Sequence, residues 1–255
     1  MAESLFTIVK DARLHEEVGR QIARRIVLGD FPVGSNLPAE SELIARFGVS
    51  RMVIREALRS LEECGMIAVR HGRRTIVAPQ EEWDVLNRIV LATYRDEGLL
   101  EPLLRDSLRV RRLIEPAIAA EAAEKATPEL LAALAASLER QAATLDTPDI
   151  FLEEDINFHN LLVGATGNRI LARMLAAIRD LLHISREVTN QLPNALTGAI
   201  RSHQRIYDEV RSRDPERAHR AMLDHLDRSG PIYLALDRTA AQPSDDDADA
   251  PTAAR

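Results

Sequence analysis

Residues 37–77 read LPAESELIARFGVSRMVIREALRSLEECGMIAVRHGRRTIV, and the order of elements in this stretch decides the fold. Pro38 and Ala39 open a short helix that carries Leu43, Ile44 and Phe47 along one side. Gly48 suits a left-handed helix stop, and Ser50 is placed to cap a second helix beginning at Arg51. In that helix Ile54, Leu58 and Leu61 share one face, while Arg51, Arg55 and Arg59 recur every fourth residue on another. The apolar face anchors in a core and the other presents guanidinium groups. A helix lying in a DNA major groove needs this division, because arginine bonds guanine edges bidentately or holds phosphates. A solvated arginine face would look the same in an isolated helix. The sequel separates the two readings. Cys64 and Gly65 end the helix, residues 66–70 alternate as a strand, His71 and Gly72 turn, and residues 75–77 return. Helix, turn, helix and a basic-tipped hairpin make a winged helix-turn-helix.

The stretch resembles the DNA-binding domain of the GntR family of bacterial transcription regulators. The matching words are Gly29-Asp-Phe-Pro-Val-Gly34, Leu37-Pro-Ala-Glu40, Gly48-Val-Ser-Arg51, Val53-Ile-Arg-Glu-Ala-Leu58 and Leu61-Glu62, within about 65 residues from roughly Leu14 to Val77. The resemblance implies DNA contacts from Ser50, Arg51 and Arg55, and from a wing at His71, Gly72 and Arg73. Two positions depart from the family pattern. Ser41 stands where arginine is common, and the wing reads Gly72-Arg73-Arg74 rather than Gly-Arg-Gly.

Length and charge fit two domains: 1–78 as the winged helix, 79–82 as a linker, 83–239 as a helical domain and 240–255 as a disordered acidic tail. The net charge of -7 hides an asymmetry, with 12 Lys/Arg against 10 Asp/Glu in 1–78 and 21 against 30 beyond. A local basic patch on an acidic whole suits a chain that meets DNA through one module and something else through the other. The single cysteine, Cys64, excludes an intrachain disulfide and a thiolate zinc cluster, which points to a reducing cytoplasm. Residues 1–10 lack the pattern of a signal peptide, and no stretch is apolar enough to span a membrane.

After the linker everything reads helical, at roughly 83–95, 103–125, 128–145, 150–166, 169–192, 195–213 and 215–237. The breaks at Gly98, Pro128, Pro148, Gly167, Pro193 and Pro215 are stop and start signals. The fold class is therefore mainly α, a winged helix-turn-helix followed by an all-α bundle.

Chemistry in the bundle concentrates in four residues. Asp155 and His159 are spaced i,i+4 on one helix face, and His203 and His225 fall on later helices. Three imidazoles and a carboxylate from three helices can form a site for Zn²⁺ or another borderline divalent ion, although spacing alone also fits a surface pair and two core histidines. Residues from about 100 to 234 resemble the ligand-binding (FCD) domain of the FadR-type subgroup of GntR regulators. The marks are Arg111-Arg-Leu-Ile-Glu-Pro116, the Asp155/His159 pair, Thr166-Gly-Asn168 and the two later histidines. The resemblance implies that Asp155, His159, His203 and His225 hold a divalent metal, zinc first with nickel or manganese as alternatives, and that a small organic acid completes its coordination. The words around Ala78–Trp83 and Val110–Ala119 look most like galactonate-responsive and related sugar-acid regulators.

Arg111 is the expected anchor for the acid, since a guanidinium holds a carboxylate bidentately. It competes with Arg109 and Arg112, and with the simpler reading that Arg111 pairs with Glu115 one turn later. The implied protein is a homodimer on a near-palindromic operator, a repressor released by its effector. A metal-responsive regulator without an organic effector is the alternative. A metalloenzyme would want a general base beside the ion, and the chain has no His-Glu-x-x-His helix, nucleophile elbow or phosphate-binding glycine loop.

Overall fold

The computed structural model describes residues 14–69, 75–189 and 195–240. The chain divides into two compact units between Glu97 and Gly98.

The first unit runs α1 (Leu14–Val27), α2 (Glu40–Phe47), α3 (Arg51–Glu63), β1 (Ile67–Ala68), β2 (Ile76–Val77), a single 3-10 turn (Gln80–Glu82) and α4 (Arg88–Asp96). Glu42 folds back to accept from the Ala39 N–H at 2.9 Å and starts α2. Gly48 ends it at φ 65°, donating to the Ile44 carbonyl. The Ser50 hydroxyl then accepts from the Val53 N–H at 3.4 Å and opens α3. The turn between the two helices is thus built from local caps.

α3 ends in a paired closure: Met66 N–H donates to the Leu61 carbonyl and Gly65 N–H to that of Glu62, each at 3.0 Å. Gly65 sits at φ 73°, and a Cβ there would lie 2.1 Å from the Glu82 carbonyl oxygen, so only glycine fits. β1 and β2 pair antiparallel with Ile67 opposite Val77 and Ala68 opposite Ile76. An Asn36–Ile76 bridge ties the segment before α2 to the wing. Ile54, Ala57, Leu58 and Leu61 of α3 are buried, as are Val18, Ile22, Ala23 and Ile26 of α1, which packs on it.

Two expectations change here. The expected linker at 79–82 is a 3-10 turn, and buried Trp83 beside it donates from Nε1 to the Ala78 carbonyl at 3.1 Å. α4, read from sequence as the opening helix of the second domain, packs on α1 in the first unit. Its buried face of Val90, Leu91, Thr93 and Tyr94 needs apolar cover, and α1 supplies it. Helix α1 is not among the helices read from the sequence.

The second unit holds α5 (Glu101–Glu124), α6 (Pro128–Ala143), α7 (Pro148–Thr166), α8 (Arg169–Thr189), α9 (Ala195–Arg211) and α10 (Pro215–Ala240). The described residues of this unit contain no strand. Pro128 at the first turn of α6 follows the Thr127 cap, and Asn168 Oδ1 accepts from Ile170 N–H at 3.0 Å to start α8. α5 packs on α10, α7 and α9, and α6 on α7 and α9. Ile118, Leu134, Phe158, Leu162, Ile206, Met222 and Leu226 meet in the core. The acidic tail expected at 240–255 begins at the last residue of α10, and 241–255 lie outside the described residues.

Candidate metal centre and nucleic-acid interface

The first unit leaves a cationic helix face open. Ser50, Arg51 and Arg55 are exposed at the start of α3, on the side away from its buried Ile54 and Leu58. Arg55 lies 3.7 Å from Glu40 in a solvent-exposed pair, a weak interaction that a phosphate or base edge can replace. Arg59 is held by Glu63 at 3.0 Å one turn on. Met52 stands 73% exposed between the leading arginines. The wing residues His71, Gly72 and Arg73 lie outside the described residues.

The second unit buries its titratable groups instead. Asp155 and His159 project from α7, His203 from α9 and His225 from α10, with exposures of 5%, 9%, 0% and 3%. One nitrogen from each of the three imidazoles lies within 4.8 Å of the others. Ring centroids are 5.2 Å apart for His159 and His203, 5.3 Å for His159 and His225, and 4.5 Å for His203 and His225. Asp155 Oδ1 approaches His203 Nε2 at 3.6 Å. The structure thus gathers all four residues named from the sequence.

Two further residues hold this cluster. Glu115 Oε2 meets His159 Nδ1 at 2.9 Å, and Glu115 Oε1 accepts from Arg111 Nε at 2.5 Å. Gln141 Oε1 meets His203 Nδ1 at 2.8 Å, and Phe158 stacks on the His203 ring at 4.6 Å. Glu115 was visible in the sequence only as a competing partner for Arg111. Gln141 is separated from His203 by 62 positions and carries no spacing signal at all.

Electrostatics follow from burial. Desolvation alone would raise the Glu115 carboxyl, but the Arg111 charge, followed by that of His159, outweighs it and holds the group well below the usual carboxylate range. Burial first, then the neighbouring His203 and His159, push the His225 imidazole well below its ordinary value. Neutral imidazole is the form that ligates a metal.

A divalent ion fits this donor set. His159 Nε2 is buried with no hydrogen-bond partner, a costly arrangement unless something accepts its approach. Three imidazole nitrogens and one carboxylate suit a borderline cation such as zinc, nickel or manganese. Beside the cluster a small cavity of about 30 Å³, partly open to solvent, is walled by Arg111, Glu115, Asp155 and His159 and by apolar Ile118, Leu162, Ile178 and Met222. Arg111 pairs with Glu115, the simpler of the readings weighed for it, and also forms part of the cavity wall.

Known proteins carry the same two parts. The model of the gntR family of bacterial regulatory proteins matches residues 14–77, and that of the FCD domain matches residues 106–228. Over 218 residues the chain is 33% identical to the galactonate operon transcriptional repressor of Escherichia coli (strain K12), spanning 85% of this chain and 93% of that protein. It is 30% identical over 227 residues to the HTH-type transcriptional repressor NanR of Salmonella newport (strain SL254), spanning 88% and 86%. The solved structure of Listeria monocytogenes Lar shares the fold, with a TM-score of 0.58 at 16% identity, covering 91% of this chain and 100% of that one. The chain belongs to the GntR family, an FCD-domain member, and is a DNA-binding transcription regulator rather than an enzyme.

Proposed function

We propose that this regulator is a repressor whose hold on its operator is controlled by a small organic acid, a sugar acid by class, bound at a divalent metal in the second unit. The observation that carries the reading is the buried cluster of His159, His203 and His225, with Asp155 beside His203, set against a cavity with Arg111 in its wall. With the three imidazoles in the neutral form that ligates a metal, Arg111 and Glu115 cancel and the Asp155 carboxylate is the net charge the site offers an ion. A divalent ion held by the four residues would reverse that sign and offer a carboxylate coordination positions. The anionic effector then meets both the ion's charge and the Arg111 guanidinium, which suits bidentate recognition of a carboxylate. Zinc is the ion best matched to a three-histidine set. The name of the galactonate operon repressor supports the acid class, and that name together with the repressor NanR supports the repressing sign.

On the DNA side, Ser50, Arg51 and Arg55 dock at the start of the recognition helix, with His71, Gly72 and Arg73 at the wing. Two copies of the chain form a dimer that places two winged helices on the half-sites of a near-palindromic operator in the cytoplasm. The acid acts by binding one arrangement of the dimer better than another, since equal affinity for both would shift nothing.

Thermal-shift screening of the purified protein against sugar acids and dicarboxylates, with and without a chelator, tests the reading. One acid should raise the melting temperature, and the chelator should abolish that rise, by mass action on the folded state. A shift with metal and none with any acid would favour a metal-responsive regulator, whose operator affinity changes with metal alone.

A further inference from the structure

Gln141 is fully buried on α6, 62 positions before His203 in sequence, yet one end of its amide meets His203 Nδ1 at 2.8 Å. The other end has a fixed job. Gln141 Nε2 donates to the Glu154 main-chain carbonyl at 3.3 Å, and Ser137 Oγ donates to the same carbonyl at 3.2 Å. Glu154 is itself anchored by Arg140 at 2.7 Å. Reversing the amide would set its oxygen against the Glu154 carbonyl oxygen with no hydrogen between them, a repulsive contact in a water-free interior. The nitrogen of Gln141 therefore faces Glu154 and its oxygen faces His203. An amide oxygen only accepts, so in the neutral form that ligates a metal the His203 hydrogen sits on Nδ1. Nε2, which faces Asp155 at 3.6 Å, keeps its lone pair. Phe158, stacked at 19° on the same ring, fixes the plane in which that lone pair points.

We propose that Gln141 is a positioning residue of the metal centre: it locks His203 in the Nδ1–H tautomer and thereby presents Nε2 to the ion. The proposal rests on the metal reading above and names a residue outside its ligand set. Gln141 does for His203 what Glu115, charge-paired to Arg111, does for His159 at 2.9 Å. Partners of this kind orient a ligating histidine and raise its basicity. With nothing to accept at Nδ1, the hydrogen is free to move to Nε2, where Asp155 accepts it and the ligand position is blocked.

The test uses the full-length, metal-free protein labelled with 15N-histidine, with His203→Ala assigning the resonance. Long-range 1H–15N spectra of the wild type should show His203 with hydrogen on Nδ1 and a bare Nε2. Gln141→Met, close in volume but without the acceptor, should lose that tautomer and weaken Zn²⁺ binding about 10- to 100-fold in competition with a chromophoric chelator. A wild-type His203 carrying its hydrogen on Nε2 overturns the proposal, and so does Gln141→Met binding Zn²⁺ within twofold of wild type. The wild-type spectrum decides by itself, so a variant that fails to fold does not shelter the idea. Wild type that binds neither zinc, nickel nor manganese would defeat the metal reading separately, and the tautomer would still judge Gln141.

Discussion

The recognition helix α3 and the ligand helix α7 use the same i,i+4 spacing for opposite ends. On α3 the Arg51–Arg55–Arg59 row is left in solvent, with the Arg55 side chain 68% exposed and its nearest carboxylate 3.7 Å away. On α7 the Asp155–His159 pair is buried, and the partners that orient it are already in place. Charges awaiting a large, wet, polyanionic surface need no interior and keep their hydration until DNA displaces it. Groups that must hold one small ion need a fixed geometry, and a fixed geometry requires packing on every side.

The contrast can be broken at its strongest point first. His203→Ala removes a buried ligand and should lower metal affinity by more than roughly 100-fold, beyond the usual loss from an orienting partner. Operator binding by the metal-free variant in a gel shift should match that of metal-free wild type, because α3 lies in the other unit.

Gly65→Ala strikes the first unit alone. A Cβ at φ 73° and 2.1 Å from the Glu82 carbonyl should cost more than about 2 kcal/mol. Trp83 is the only tryptophan and belongs to the first unit, so its fluorescence should report an earlier melt while the metal affinity of the second unit holds.

Arg55→Ala should weaken operator binding about 10- to 100-fold, the worth of one bidentate contact. Thermal shifts with metal and acid should remain as in wild type. Unchanged affinity in a gel-shift titration would remove Arg55 from the interface.

Acid should separate the two regions most gently. The folded His225 value lies below the ordinary 6.5, so below about pH 6.5 the unfolded chain binds more protons and the second unit loses stability as pH falls. Glu115 adds to the loss below its ordinary 4.5, since its carboxyl is held lower in the fold. The slope is at most about 1.4 kcal/mol per pH unit for each group. Urea melts of metal-free protein followed by circular dichroism should show it, while Trp83 fluorescence should move less.

The helix-turn-helix was legible because its punctuation is local. Gly48 and Ser50 do in the fold what their residue types suggest, each acting on backbone within four positions. Pro128, Pro148, Gly167 and Pro215 mark helix ends for the same reason. Where a helix packs was less legible. The amphipathic face of α4 announces a buried partner without saying which, and α1 proved to be that partner rather than the bundle. The four cluster residues could be named from their spacing and a family resemblance, but their convergence depends on three helices meeting.

Interactions within a few residues suffice for the fold class, the order of the helices from α2 onward and the exposed arginine row, so these could be read along the chain. Only the tertiary structure decided that α4 closes the first unit, that Arg111 is bound to Glu115, and that Gln141 faces His203. Those are contacts across helices or choices among several rotamers of one helix. Burial settles them, because an interior polar group must find its partner wherever the packing of the whole unit places one.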